Sequence, residues 1–149
     1  MSIKITGNLA RAGEILSDLL VSQYEDEHNL TVAELYKLKV LDSIYLAVTS
    51  SVTQLGITAK ASSGFRTKKI NKLAGGSSTS QHLSMEAFDL HFFDKEGNII
   101  TGIDNMEEIA QFIDNNFSDI IQQMFWYDWG IHIGIATSRK RLKKVRGQR

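Results

Sequence analysis

A single domain of the mixed α+β class is what this sequence predicts. Its 149 residues are enough for one hydrophobic core, and the absence of cysteine excludes both disulfides and thiolate metal sites. Two segments carry apolar residues at the helical spacing of three and four, and two others alternate apolar with polar residues as strands do. These segments follow one another along the chain without an internal repeat.

The N-terminal part of the chain is predicted to be helical. Asn8 would cap a first amphipathic helix, and an acidic linker over residues 25–29 would follow it. Thr31 and Glu34 form a capping box, in which each side chain satisfies a free backbone amide of the other residue. This box predicts the start of a long helix, and Gly56 predicts its end.

The remaining elements are shorter and alternate between strands and helices. They are predicted as a strand at 57–61, a helix at 67–73, a polar loop at 74–80, a strand at 86–93, a turn at 94–98, a helix capped by Asn105, and strands near 121–127 and 131–136.

Residue parity separates core residues from candidate functional residues on two of these strands. In the strand at 86–93, residues 88, 90 and 92 are apolar and would face the core, which leaves Asp89 and His91 on the other face. In the strand at 131–136 the odd-numbered isoleucines would be core, and His132 would face away from them. Spacing alone does not say whether the two strands are neighbours.

His82, Asp89 and His132 form a candidate metal site. The chain contains only four histidines, and two of them belong to this set. Two neutral imidazoles and one carboxylate leave a fourth position open on a tetrahedral zinc ion, which is the arrangement that a metal hydrolase needs. Without cysteine, any metal must be held by nitrogen and oxygen.

The charge of the chain is unevenly distributed. Residues 138–149 carry seven of the 17 Lys and Arg and no acid, so the remainder has 10 basic against 17 acidic residues, a net charge of −7. We interpret this basic C-terminal tail as a solvated segment, with nucleic acid or an anionic envelope as alternative partners. A nucleic-acid-binding function would make binding strongly salt-dependent.

Membrane insertion and secretion are not indicated. No apolar run approaches the roughly 20 residues of a membrane span. The N-terminus lacks a charged region followed by an apolar one, so we expect no Sec signal and synthesis in a cytoplasm.

The order of motifs resembles that of zinc peptidases. The segments are SGFR at 63–66, NKLAGGSSTSQH at 71–82, AFD at 87–89 and GIHI at 130–133, after the long helix. They resemble the D-alanyl-D-alanine carboxypeptidases and phage L-alanyl-D-glutamate endopeptidases, which share a fold with the hedgehog signalling domain. The resemblance covers residues 31–136 and implies a small antiparallel sheet with helices packed on one side. Residues 1–30 would then be an N-terminal helix and linker, and residues 31–137 a zinc-peptidase-like domain.

The resemblance also implies roles for individual residues. His82, Asp89 and His132 would hold Zn2+, and Arg66 would bind a carboxylate or carbonyl of the substrate. The two polar residues before the first histidine, Ser80 and Gln81, would line the cleft. The implied substrates are peptidoglycan peptides of the bacterial cell wall. Compact phage members are endolysins or lysins carried in the virion, where other virion proteins would be partners.

Two departures from the family pattern bear on activity. Met85 stands where the family usually has glycine, which would either reshape a turn or crowd the cleft. The family's catalytic base is a Glu or Asp a few residues before the last histidine, but a gap-free match puts Trp126 there. Asp128 is our candidate for the base, since it would share a face with His132 if the strand extends back to it, and Glu86 is the reserve. The alternative is a catalytically degenerate copy that serves as a virion structural or binding protein.

Overall fold

The computed structural model describes residues 2–5, 28–66, 68–135 and 145–149. The strands are β1 (Ser2–Ile5), β2 (His28–Thr31), β3 (Thr58–Ser63), β4 (Ala87–Phe93), β5 (Ile99–Ile100), β6 (Ile121–Trp126), β7 (Ile131–Ile135) and β8 (Val145–Gln148). The helices are α1 (Val32–Ser51), α2 (Lys68–Leu73) and α3 (Ile103–Phe117), with 3-10 turns at Val52–Leu55 and Gln81–Ser84. The predicted α+β class is therefore confirmed. The predicted helix after Asn8 lies outside the described residues.

A six-stranded sheet organises the domain. Its strand order is β3-β4-β7-β6-β8, and β5 pairs with β4. All neighbouring strands are antiparallel except β8, which runs parallel to β6. The antiparallel sheet that the family resemblance implies is confirmed apart from this edge. A separate antiparallel pair joins β1 to β2, so the linker predicted at 25–29 is wrong where β2 begins, at His28.

The long helix lies where the sequence predicts it. It begins directly after Thr31 and is continued by a 3-10 turn as far as Gly56. Gly56 has a φ of 75°, a left-handed conformation that glycine adopts without steric cost, and its N–H donates to the Thr53 carbonyl. The inner side of the helix consists of residues three or four apart that are all buried: Leu38, Leu41, Tyr45, Val48 and Val52.

Helices α1 and α3 cover one face of the sheet, and the strand parity predicted from the sequence is confirmed there. On β4 and β7 the core-facing residues are fully buried: Phe88, Leu90, Phe92, Ile131, Ile133 and Ile135. Tyr45 of α1 meets the edge of the Phe88 ring at 5.5 Å between ring centroids. Met106, Ile109 and Ile113 of α3 complete the same cluster. The opposite face of β4 and β7 is left for other residues.

The third helix begins earlier than its predicted cap. Its N-cap is Gly102, and Asn105 lies inside the first turn, where its side-chain amide donates to the Thr101 carbonyl. The N–H of Gly102 donates to the carbonyl of Asp128 at 2.7 Å. This bond ties the start of α3 to the turn between β6 and β7. Such a long-range contact is not visible in a local capping pattern.

The interpretation of the C-terminal tail as a solvated segment is wrong for its last residues. Val145–Gln148 form β8, an edge strand in register with β6 from Gln123 to Trp126. Residues 136–144 lie outside the described part of the chain. Part of the basic tail therefore belongs to the main sheet.

Arg146 fastens β8 to the rest of the domain. Its guanidinium donates to Oδ1 of Asp114 on α3 at 2.9 Å, and to the carbonyls of Ile121 and Gln122 at 2.8 and 3.0 Å. A planar guanidinium can reach three acceptors at once because its donors are fixed in a fork.

None of the described helices is long and apolar enough to cross a membrane.

We expect Arg146→Ala to lower the free energy of unfolding by about 1–3 kcal/mol, because it removes a charge-assisted bond and leaves two carbonyls without this donor. Arg146→Lys should recover little of the loss, since lysine lacks the fork. Urea unfolding followed by circular dichroism measures both values. Lys60→Ala, an exposed change on β3, is the control and should shift stability by less than about 0.5 kcal/mol. Equal stabilities of Arg146→Ala and the control would contradict the docking of β8.

Candidate metal centre

Three side chains converge on the sheet face opposite the core. Asp89 on β4 lies directly across from His132 on β7, and His82 reaches them from the 3-10 turn before β4. Oδ1 of Asp89 is 3.1 Å from Nε2 of His82 and 2.8 Å from Nδ1 of His132. The three residues could hold a metal ion. The pairing of β4 with β7 thus supplies the neighbourhood that spacing alone could not establish.

The turn that carries His82 is held at both ends. Ser80 is its N-cap, and its hydroxyl accepts a hydrogen bond from the His82 N–H at 3.3 Å. Met85 follows the turn with a φ of 58°, a conformation that costs a non-glycine residue about 1 kcal/mol or more. Its side chain is buried in the core, which offsets that cost, and does not line the cleft. Of the two effects considered for Met85, the structure shows the reshaped turn.

Hydrogen bonds on the outer side of each imidazole determine which nitrogen carries the proton. Nδ1 of His82 is 2.7 Å from the carbonyl of Gly64, and since a carbonyl only accepts, Nδ1 must donate. Nε2 of His132 is 2.9 Å from Oε1 of Gln123 and donates in the same way. In the neutral form of each ring, the nitrogen that faces Asp89 therefore carries a lone pair.

These lone pairs make the site suited to a cation. Nε2 of His82, Nδ1 of His132 and Oδ1 of Asp89 point at one another, and no proton of a neutral imidazole lies between them. Burial raises the pKa of Asp89, but when the rings of His132 and His82 are protonated, their hydrogen bonds and positive charge hold it well below its usual range. The carboxylate is thus ionised at neutral pH. Two imidazole nitrogens and one carboxylate oxygen are a donor set that zinc accepts, so the residues fit this metal.

Arg66 supports the carboxylate from its other side. Its Nη2 donates to Oδ2 of Asp89 at 3.3 Å, so both oxygens of Asp89 are engaged. Its Nε donates to the hydroxyl of Ser63 at 2.9 Å, and its Nη1 donates to Oδ1 of Asn71 at 3.4 Å. The structure places Arg66 in the cleft wall, and its direct binding of substrate stays a prediction.

Gln81 packs behind the metal-binding residues. It is 5% exposed, and its Nε2 donates to Oε1 of Gln122 and to the Ile135 carbonyl at 3.4 and 3.5 Å. A Cβ on Gly134 would overlap the Gln81 carboxamide. The sheet can therefore accept the turn before β4 only because this position of β7 has no side chain. Both Ser80 and Gln81 contribute to the cleft, as the resemblance implies.

A cleft of about 750 Å³ opens over the three convergent residues. Its lining comprises Arg66, Ala74, Gly75, Gly76, Ser77, Thr79, Ser80, Gln81, His82, Asp89, Gln123, Phe125, Tyr127, Trp129, His132 and Arg149. Asp89 is the one acidic side chain among these lining residues.

Asp128 and Glu86 do not reach this cleft. Strand β7 begins only at Ile131, and the chain turns over residues 127–130, where the Tyr127 N–H donates to the Gly130 carbonyl. The strand does not extend back to Asp128, so the condition for Asp128 to share a face with His132 is not met, and its side chain is exposed outside the cleft lining. Glu86 is buried and does not line the cleft either.

Sequence reasoning did not identify Gln123 and Arg149 as cleft residues, and it offered Tyr127 only as one member of an aromatic cluster at 126–129 that could stack on a ligand. Alternation on β6 puts Gln123 and Phe125 on one face, and the register with β7 makes this the face of His132. Tyr127 follows at the end of the same face. Burial raises the pKa of Tyr127 most, and the negative charge of Asp89 raises it further, while the positive charges of Arg149 and Arg66 lower it. Its hydroxyl therefore remains a hydrogen-bond donor at neutral pH.

Comparison with family models gives a match over most of the chain. A family model described as peptidase M15 matches residues 18–124, which include His82 and Asp89 but end before His132. No curated protein and no solved structure matches the chain. The third candidate ligand is thus identified by its pairing with Asp89 and not by the family match.

We expect His82→Ala and His132→Ala each to abolish stoichiometric zinc binding, because two protein ligands hold zinc far less tightly than three. His91→Ala is the matched control, since His91 is on the same face of β4 but packs edge-on against Trp129 at 5.4 Å and lies outside the ligand set. Elemental analysis and competition with a chromogenic chelator measure content and affinity. Full zinc content in His82→Ala would exclude this site as the metal centre.

Gly134→Ala should disturb the site through Gln81. The new methyl group overlaps the carboxamide, so we expect the free energy of unfolding to fall by about 1–3 kcal/mol and zinc affinity to fall with it. Gly147→Ala on β8, where a Cβ would meet nothing within 4 Å, is the control. Denaturation and chelator competition test both variants. Identical behaviour of the two would show that Gln81 does not pack tightly on β7.

Proposed function

Because the chain belongs to the peptidase M15 family, we propose that it is a zinc-dependent peptidase that hydrolyses amide bonds in peptidoglycan stem peptides. The observation that supports this proposal best is the convergence of three lone pairs from His82, Asp89 and His132 at the floor of an open cleft. Such a set holds a metal with three protein atoms and leaves a further position open toward the substrate.

Each residue of the cleft would have a distinct task. Zinc bound by the three ligands would act as a Lewis acid and would make a water molecule a better nucleophile at neutral pH. The Gly64 carbonyl and Gln123 hold the two imidazoles in the orientation and tautomer that binding requires. The protonated hydroxyl of Tyr127 can donate to the scissile carbonyl as negative charge develops on its oxygen.

Hydrolysis also needs a group that takes a proton from water and passes it to the leaving amine. Asp89 is engaged by both histidines and by Arg66, which leaves no second carboxylate among the described cleft residues. Asp128 was proposed for this task from the sequence, but its exposed position beside the cleft does not support it.

The missing carboxylate favours one alternative function. A zinc-bound protein without a proton acceptor would retain a peptide-binding cleft but would cleave slowly or not at all. Such a protein would be a peptidoglycan-binding or virion structural module. Zinc content cannot separate the two functions, because both retain the ligands, so cleavage must be measured directly.

The proposed place of action is the bacterial cell wall. The resemblance to phage endopeptidases supports the role of an endolysin or of a virion-associated lysin. Contact of the basic C-terminal segment with an anionic envelope or with nucleic acid stays a prediction.

The proposal is tested by incubating zinc-loaded protein with purified peptidoglycan and identifying the released fragments by mass spectrometry. We expect new amino termini with wild type, and a rate lower by about a hundredfold or more with His82→Ala, since the metal contributes several kcal/mol to the transition state. Lys60→Ala on β3 serves as the control. Stoichiometric zinc with no cleavage by wild type would favour the binding module.

Asp128→Ala tests the proton acceptor separately. From its exposed position we expect this variant to keep most of the wild-type rate and an unchanged pH profile. A loss of about a hundredfold or more, the usual contribution of general-base catalysis, would instead assign the base to Asp128. The measurement uses the same peptidoglycan assay over a range of pH.

A further inference from the structure

Arg149 brings a second guanidinium to the cleft. Its backbone N–H donates to the Trp126 carbonyl at 2.8 Å, which continues the pairing of β8 with β6. Its guanidinium carbon lies 3.9 Å from the centroid of the Phe125 ring, and the residue is part of the cleft lining. This cation–π contact with Phe125 holds the guanidinium beside the cleft.

The two arginines of the cleft differ in how many of their donors are in use. Arg66 donates to Ser63, Asn71 and Asp89 through all three of its nitrogens. The Arg149 guanidinium makes no hydrogen bond or ion pair with any residue in the described ranges. Its donors are therefore free for a ligand, and those of Arg66 are largely committed to the protein.

The charges around the cleft point in the same direction. Asp89 is the one acidic side chain in the lining, and its oxygens already contact Arg66 and the two histidines. No acidic side chain of the lining thus pairs with the guanidinium of Arg149. An uncompensated guanidinium in a concave site attracts a planar anion, and a carboxylate matches its paired donors.

We propose that Arg149 binds a carboxylate of the substrate peptide and so determines the preference of the cleft for acidic stem peptides. This inference rests on the proposed function. A stem peptide with γ-linked D-glutamate offers two such groups, the α-carboxylate of that residue and the carboxylate at the peptide's end. Arg149 would contact the substrate in addition to Arg66, which also supports Asp89.

A purely structural role for Arg149 makes a different prediction. The Phe125 ring contacts both Arg149 and His132, with 5.9 Å between the Phe125 and His132 centroids and 20° between their planes. If Arg149 only holds this stack, its removal should weaken zinc binding by displacing His132. If it binds substrate, zinc affinity should stay unchanged and peptide selectivity should be lost.

The experiment titrates the zinc-loaded full chain with an N-acetylated L-Ala-γ-D-Glu-L-Lys-D-Ala peptide and with two analogues. One analogue has the D-Glu α-carboxylate converted to an amide, and the other has the terminal carboxylate converted. Calorimetry gives the dissociation constant of each peptide, and mass spectrometry checks that the peptide stays intact. If a peptide is cleaved, its KM is compared in place of the dissociation constant. Zinc affinity is measured in parallel for wild type, Arg149→Gln and the control Lys60→Gln.

We expect wild type to bind the acidic peptide about tenfold more tightly than one of the two amides, because the amide lacks a charge-assisted hydrogen bond. The amide that binds more weakly shows which of the two carboxylates Arg149 contacts. Arg149→Gln should lose this preference at unchanged zinc affinity, and Lys60→Gln should keep it. The inference would be overturned if wild type bound all three peptides equally or bound none of them. It would also be overturned if Arg149→Gln kept the preference or lost zinc affinity together with it. Selective binding without cleavage would instead overturn the peptidase activity and leave the role of Arg149 intact.

Discussion

The pairing of β4 with β7 is the constraint on which both the core and the candidate site depend. Asp89 and His132 lie directly opposite each other in this pairing, and their sequence neighbours on both strands are fully buried. Because side chains alternate between faces, one register places the apolar residues under α1 and α3 and places the ligands in the cleft. A slip of one residue would reverse both faces at once, so the free energy of the core also holds the metal-binding geometry.

Within that geometry, Asp89 connects nearly every group of the site. Its Oδ1 meets both imidazoles and its Oδ2 meets Arg66, while the outer nitrogens of His82 and His132 are held by the Gly64 carbonyl and by Gln123. The surrounding hydrogen bonds therefore orient the lone pairs before any cation arrives. A preorganised set loses little conformational entropy on binding, and a metal that binds only the folded chain adds its binding free energy to stability.

Local periodicity was enough to predict α1 and the parity of β4 and β7, whereas the three candidate ligands were predicted from their chemistry and from the family resemblance. The errors occurred where a distant part of the chain decides the structure. Asp128 was placed by extending strand parity backward from His132, but a turn intervenes and Gly102 bonds its carbonyl. The segment of β8 is short and basic, with no alternation to identify it, and it is a strand because β6 and Arg146 provide its partners. No local pattern contains that information.

The cleft is also divided along the chain. His82, Asp89 and Gln123 lie within the stretch that matches the M15 family, whereas His132, Tyr127 and Arg149 follow it. The first segment supplies two of the three candidate ligands, and the second supplies the third ligand together with Tyr127 and Arg149 in the cleft lining. Since β8 is an edge strand that pairs with β6 and contacts neither β4 nor β7 in the sheet, a change there can alter the cleft wall without disturbing the β4–β7 pairing. Substrate preference can therefore vary while the metal-binding residues stay in place.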